Sequence, residues 1–217
     1  MVNKVMWVVL CLAFLGVSQS DAQQYPTKVI TMMVPFTAGG PTDTVARLLA
    51  RAMGESLKQQ IIVENVGGAG GTIAPARVAK SAPDGYTILI HHIGMSTAPA
   101  LYRKLPYNPL TDFEHIGLIN DTPMTLVAKR DFPPKDLKEL ITYVKTNKDK
   151  VTYANAGVGA ASHLCGLLFE NATGLDLTEV PYDGTGPAMD DLLGNQVDFM
   201  CDQTTSTTDD IQADAVK

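Results

Sequence analysis

The chain has 217 residues and a formal net charge of -6, from 17 Lys and Arg against 23 Asp and Glu. Apolar residues make up 45% and charged residues 18%, which excludes an intrinsically disordered chain. The acidic balance argues against nucleic acid as a partner, and three cysteines are too few for a disulfide scaffold.

In chain order the first element is a leader. Met1 to Lys4 carries one positive charge, Val5 to Val17 is almost unbroken apolar, and Ser18 to Gln24 turns polar. Small residues at Ser20 and Ala22 suit cleavage after Ala22. This is the layout of a secretory signal peptide, so residues 23–217 are expected outside the cytoplasm. The apolar run is short for a membrane span.

Seven short runs rich in Val and Ile then read as strands: Val29–Val34, Ile61–Glu64, Thr87–His91, Leu126–Ala128, Val151–Ala154, Leu177–Pro181 and Val197–Cys201. Helical patterns lie between most of them. Thr44–Leu57 places Val45, Leu48, Leu49, Ala52 and Met53 at helical spacing, and Lys135–Thr146 does so with Leu137, Leu140, Ile141 and Val144. Ser162–Ala172 and Pro187–Leu193 read alike. Alternating strands and helices imply βαβ units: an α/β fold with mostly parallel sheets flanked by helices. Three prolines between Pro99 and Asp112 exclude a long helix there. Residues 113–123 are taken as the crossing between two α/β lobes, 23–122 and 123–217. Thr204 to Asp209 carries turn signals, and Ile211–Lys217 starts a further helical pattern that stops without a cap. Cys165 and Cys201 fall on a helix and a nearby strand, and a bond between them is left open.

Ligands of α/β sheets sit beyond the carboxyl ends of the strands. Two loops stand out there. Pro35-Phe36-Thr37-Ala38-Gly39-Gly40-Pro41-Thr42-Asp43 links the first strand to the first helix. Its glycines allow close backbone approach, Thr42 or Asp43 can cap the helix, and the helix start is an anion site. The alternative is a tight turn with a cap. Asn155-Ala156-Gly157-Val158-Gly159-Ala160-Ala161-Ser162-His163 is the second, with small residues flanking a hydroxyl. Two such helix starts facing each other would clamp a dianion. Enzymatic readings fare worse. Ser162 and His163 are adjacent, so their side chains diverge on a helix, and no nucleophile–base pair is visible. Gly67-Gly68-Ala69-Gly70-Gly71 lacks the P-loop lysine and reads as a flexible turn. Adjacent His91 and His92 would point to opposite faces of a strand, so no metal is implied; one of the pair is expected to line the cleft.

These motifs occur in a familiar order. Val34-Pro35-Phe36-Thr37-Ala38-Gly39-Gly40-Pro41-Thr42-Asp43 is followed by Val63-Glu64-Asn65-Val66-Gly67-Gly68-Ala69-Gly70-Gly71 and Ala82-Pro83-Asp84-Gly85-Tyr86. Then come Leu105-Pro106-Tyr107-Asn108-Pro109, Gly157-Val158-Gly159-Ala160-Ala161-Ser162-His163 and Val180-Pro181-Tyr182-Asp183-Gly184-Thr185. The chain resembles the extracytoplasmic solute receptors of tripartite tricarboxylate transporters, the Bug proteins, over essentially all of residues 23–217. The resemblance implies a two-domain periplasmic binding protein fold of type II that closes on a small carboxylate. It also implies membrane permease subunits as partners, or a sensor kinase if the receptor signals, and a monomer without a cofactor. By motif, Phe36, Thr37, Gly39, Gly40, Thr42 and Asp43 match one ligand pincer. Gly157, Gly159, Ala160, Ala161, Ser162 and His163 match the other. Tyr182, Gly184 and Thr185 match a third motif. Asp202 follows the last strand, and His92, Gly94 and Ser96 lie in a loop expected to face the cleft. Family members are longer and return from the second lobe to the first. The stop at Lys217 is therefore expected to leave the first lobe incomplete, with uncovered apolar faces, aggregation and weak binding.

Overall fold

The computed structural model describes residues 24–217, so the leader lies outside the described residues. All seven expected strands form, with shifted ends: β1 (Ile30–Val34), β2 (Ile61–Asn65), β3 (Thr87–Leu89), β4 (Met124–Ala128), β5 (Thr152–Asn155), β6 (Thr178–Pro181) and β7 (Phe199–Gln203). They divide into two sheets. The first has the order β2-β1-β3 and is parallel throughout. The second has the order β4-β7-β5-β6, with β4 antiparallel to β7 and the other pairs parallel.

Helices cover both faces of each sheet, and strand alternation explains how. In β1, Met32 and Val34 pack with Ala46 and Ala50 of α1 (Pro41–Leu57), whereas Met33 packs with Ala74 of α2 (Ile73–Val78). Leu48, expected on the packed face of α1, is 61% exposed; Val45, Leu49 and Met53 do the packing. In β7, Met200 joins Ala188, Met189 and Leu192 of α6 (Thr185–Leu193). Phe199 and Cys201 face the other way, toward Leu140 and Val144 of α4 (Leu137–Thr146) and Cys165 and Phe169 of α5 (Ala161–Thr173). Asp136 caps α4 by accepting the Glu139 N–H at 2.8 Å, while Glu139 accepts the Lys135 N–H at 2.9 Å.

No long helix forms between Pro99 and Asp112, as the prolines require; a short one, α3 (Gly94–Leu101), holds Pro99 near its end, where a two-turn helix loses little to one missing N–H. The end of the chain corrects an expectation. Thr204 to Asp209 is helical, not a turn: α7 (Thr204–Gln212) starts directly from β7. The chain leaves that helix before Val216, and Lys217 exchanges two backbone hydrogen bonds of 2.9 Å with Ala128 at the end of β4. Residues 102–123 carry no helix or strand and lead from the first sheet to the second. Leu110, Ile116 and Leu118 in that stretch are over four-fifths exposed. Cys165 and Cys201 form a disulfide, with Cα atoms 6.2 Å apart, tying α5 to β7. No helix among the described residues is long and apolar enough to cross a membrane.

Candidate functional site

The carboxyl ends of β1, β5 and β7, with the loop after β3, surround one cavity. It is lined by Phe36, Gly40, Pro41, Thr42, His92, Ala156, Ala160, Ala161, Ser162, Thr185, Asp202 and Gln203. Four helices begin at its wall: α1 after Gly40, α5 after Ala160, α6 after Gly184 and α7 after Gln203. None of the four has a side-chain cap. Their first-turn N–H groups and dipoles thus converge on the cavity, the arrangement that favours an anion. No Lys or Arg lines it. Its volume is about 20 Å³, room for about one water.

Contacts between the lobes close the cavity. The Thr37 N–H donates to the Asp183 carbonyl at 3.2 Å. The Tyr102 hydroxyl lies 2.7 Å from the carbonyls of both Ala69 and Val158, sharing its proton between the lobes. Gly70, with φ of +59°, passes so close to the second lobe that a Cβ there would meet the Val158 carbonyl at 1.8 Å. The Gly67–Gly71 run, expected to be a flexible turn, is therefore a tightly fitted lobe contact.

The first loop is held from outside the cavity. Asp43, the third residue of α1, reaches back to accept the Gly39 N–H at 3.1 Å. It also accepts from Arg47 Nε and from Asn65 Nδ2, both at 2.9 Å. Burial alone would raise the Asp43 carboxyl, but these bonds outweigh it and hold it below its ordinary value. Neither Thr42 nor Asp43 is the capping residue itself. The second loop is braced from within. Ser162 Oγ accepts the Ala156 N–H at 2.8 Å, Asn155 Oδ1 the Gly157 N–H at 2.9 Å and His163 Nδ1 the Gly159 N–H at 3.2 Å.

Two ionisable groups line the cavity. His92 stacks on Phe36 with ring centroids 4.7 Å apart, and its Nδ1 accepts the Gly94 N–H at 3.0 Å. Desolvation, with the neighbouring His91, pushes it down to about 3, so it is neutral. Asp202 is 2% exposed and its Oδ2 has no hydrogen-bond partner. Desolvation pushes its carboxyl up to about 6, opposed by the Gln203 N–H and the Thr185 hydroxyl.

Of the residues singled out from the sequence, Phe36, Gly40, Thr42, His92, Ala160, Ala161, Ser162, Thr185 and Asp202 line the cavity. The others do not. Thr37, Gly157 and Gly159 lie at lobe contacts or loop turns, and Gly39, Asp43 and His163 brace the loops. Gly184 fits against Thr37, where a Cβ would come within 2.3 Å of the hydroxyl. The Tyr182 hydroxyl donates to Asp191 on α6 at 2.6 Å, and burial with that bond pushes it up to about 12. Ser96 is exposed on α3. Pro41, Ala156 and Gln203 were missed; each is the immediate chain neighbour of a recognised loop residue, the only signal the sequence offers.

Residues 45–217 match the family model described as tripartite tricarboxylate transporter family receptor. The chain belongs to this family. A UPF0065 protein of Agrobacterium vitis is 52% identical over 192 residues, 88% of this chain and 56% of the relative. The chain thus spans little more than half the length of that relative. The periplasmic binding protein BugD is 57% identical with a TM-score of 0.87, over 89% of this chain and 64% of BugD. MatC from Rhodopseudomonas palustris, solved with bound malate, is 44% identical with a TM-score of 0.85, over 89% of this chain and 66% of MatC. The tripartite tricarboxylate transporter receptors are a receptor family, not an enzyme family, and the fold of this member is that of a two-lobe periplasmic binding protein.

Proposed function

We propose that this receptor captures a small carboxylate between its two lobes, in the periplasm, and delivers it to the membrane subunits of a tripartite tricarboxylate transporter. The observation that carries the reading is the convergence of four uncapped helix starts on a cavity without Lys or Arg. Such a site stabilises negative charge with backbone N–H groups and dipoles, which suits a planar carboxylate held by several donors. Charge-assisted hydrogen bonds contribute about 1.5–3 kcal/mol each. A handful supports micromolar binding, about −8 kcal/mol, after association costs. The malate bound in MatC supports the carboxylate class.

Residues 23–122 and 123–217 act in this reading as two lobes that part to admit the ligand. The cavity has room for about one water, so a dicarboxylate enters only if they separate. Ligand-bound lobes then present one closed surface to the transporter. Thermal melts and calorimetry of the purified chain against malate, citrate and aromatic acids test this. A saturable, carboxylate-dependent rise in melting temperature with unchanged ligand supports it; no shift with any acid, or turnover of the ligand, contradicts it.

A further inference from the structure

We propose that Asp202 is a proton donor to the bound anion: its carboxyl takes up one proton from solvent as the ligand enters and shares it in a hydrogen bond with a ligand carboxylate. The proposal rests on reading the cleft as a carboxylate site, and adds that each ligand binds together with a proton.

The geometry comes first. Asp202 stands at the carboxyl end of β7, lines the cavity, is 2% exposed and leaves Oδ2 unpartnered. A buried carboxylate oxygen without a partner is costly unless a ligand supplies one. No cationic side chain lines the cavity to neutralise it. An ionised Asp202 would face the incoming anion with like charge in a desolvated space. Two carboxylates in one such site resolve the conflict by holding one proton between them. The short O–H···O⁻ hydrogen bond that results is charge-assisted. In the balance, the buffer gives up one proton and Asp202 gains one O–H bond. With the free carboxyl pushed up to about 6, the proton is largely absent at neutral pH and must be taken up.

The surrounding groups leave this role to Asp202. β4 carries no ionisable side chain. Tyr153 of β5 is buried and held protonated by desolvation. On α6 and α7, Asp190, Asp191, Asp209 and Asp210 sit in the C-terminal halves, away from the helix starts at the cavity. Across the cleft, Asp43 is held ionised by its partners and His92 neutral by burial. His163 of α5 bonds the Gly159 N–H and approaches Glu179 at 3.6 Å, so a variant must separate it from Asp202.

The test is calorimetric titration with malate, tartrate and glutarate from about pH 6 to about pH 8, where these dicarboxylic acids in water are largely ionised. Two buffers of different ionisation enthalpy report proton uptake. Affinity is expected to fall roughly 10- to 50-fold across that range, with uptake approaching about one proton per ligand. Asp202→Asn keeps a donor but cannot titrate, and its affinity should no longer follow pH. Carboxylate binding that varies less than about twofold with no proton uptake overturns the proposal while leaving the receptor reading intact. A slope retained in Asp202→Asn overturns it likewise. No binding by any of the three acids at any pH overturns the receptor reading, and the proposal with it.

Discussion

The two halves of the cleft present similar helix starts but are secured differently. On the first, the β1–α1 loop is held by Asp43, whose partner Arg47 is largely exposed; the carboxylate restrains the loop from behind. On the second, Asn155, Ser162 and His163 are all buried and each accepts a backbone N–H of the loop they flank. The Cys165–Cys201 bridge then fixes α5 to the strand that carries Asp202. The difference teaches that the first cradle hangs on one buried carboxylate, whereas the second is held by three buried acceptors and a covalent tie into the sheet.

Breaking the second half should therefore cost most. Removing the disulfide with Cys165→Ala and Cys201→Ala, which closes a separation of 36 residues, should cost about 3–4 kcal/mol in denaturant unfolding. Ser162→Ala leaves the buried Ala156 N–H unpaired and should lose about 1–3 kcal/mol of stability, weakening carboxylate binding as the loop relaxes. On the first half, Asp43→Ala removes the acceptor of the Gly39 N–H, Arg47 and Asn65 and should cost about 1–2 kcal/mol in a thermal melt. Because the folded Asp43 carboxyl lies below its unfolded value, its contribution is present above the unfolded pKa and fades as pH falls through the folded one. Asp43→Asn should accordingly flatten the acid limb of stability against pH. The smallest effect belongs to the lobe contact: Tyr102→Phe removes one shared proton and should shift the open–closed balance by about 0.5–1.5 kcal/mol, read as weaker affinity with a nearly unchanged melt.

The strands were legible because Val- and Ile-rich runs bounded by turn residues have few other uses, and their alternation with helical patterns implied sheets flanked by helices. The two loops that open α1 and α5 at the cavity were legible because small residues, a hydroxyl and a following helical pattern mark a strand-to-helix turn where backbone can approach closely. What was not legible depended on tertiary direction. Nothing local says that the Tyr182 hydroxyl turns to Asp191, or that His163 faces its own loop. The Thr-rich opening of α7 has weak helix propensity, and its helical state follows from entry off β7, where Thr207 is fully buried beside Thr125. The Gly67–Gly71 run looked like slack because its partner, Val158, lies far along the sequence.

The most direct measurement is a crystal structure of the protein soaked with malate. A ligand carboxylate within about 3 Å of first-turn N–H groups of both α1 and α5 is the predicted result. A malate held by side chains of one lobe alone, or bound away from these helix starts, would contradict the account.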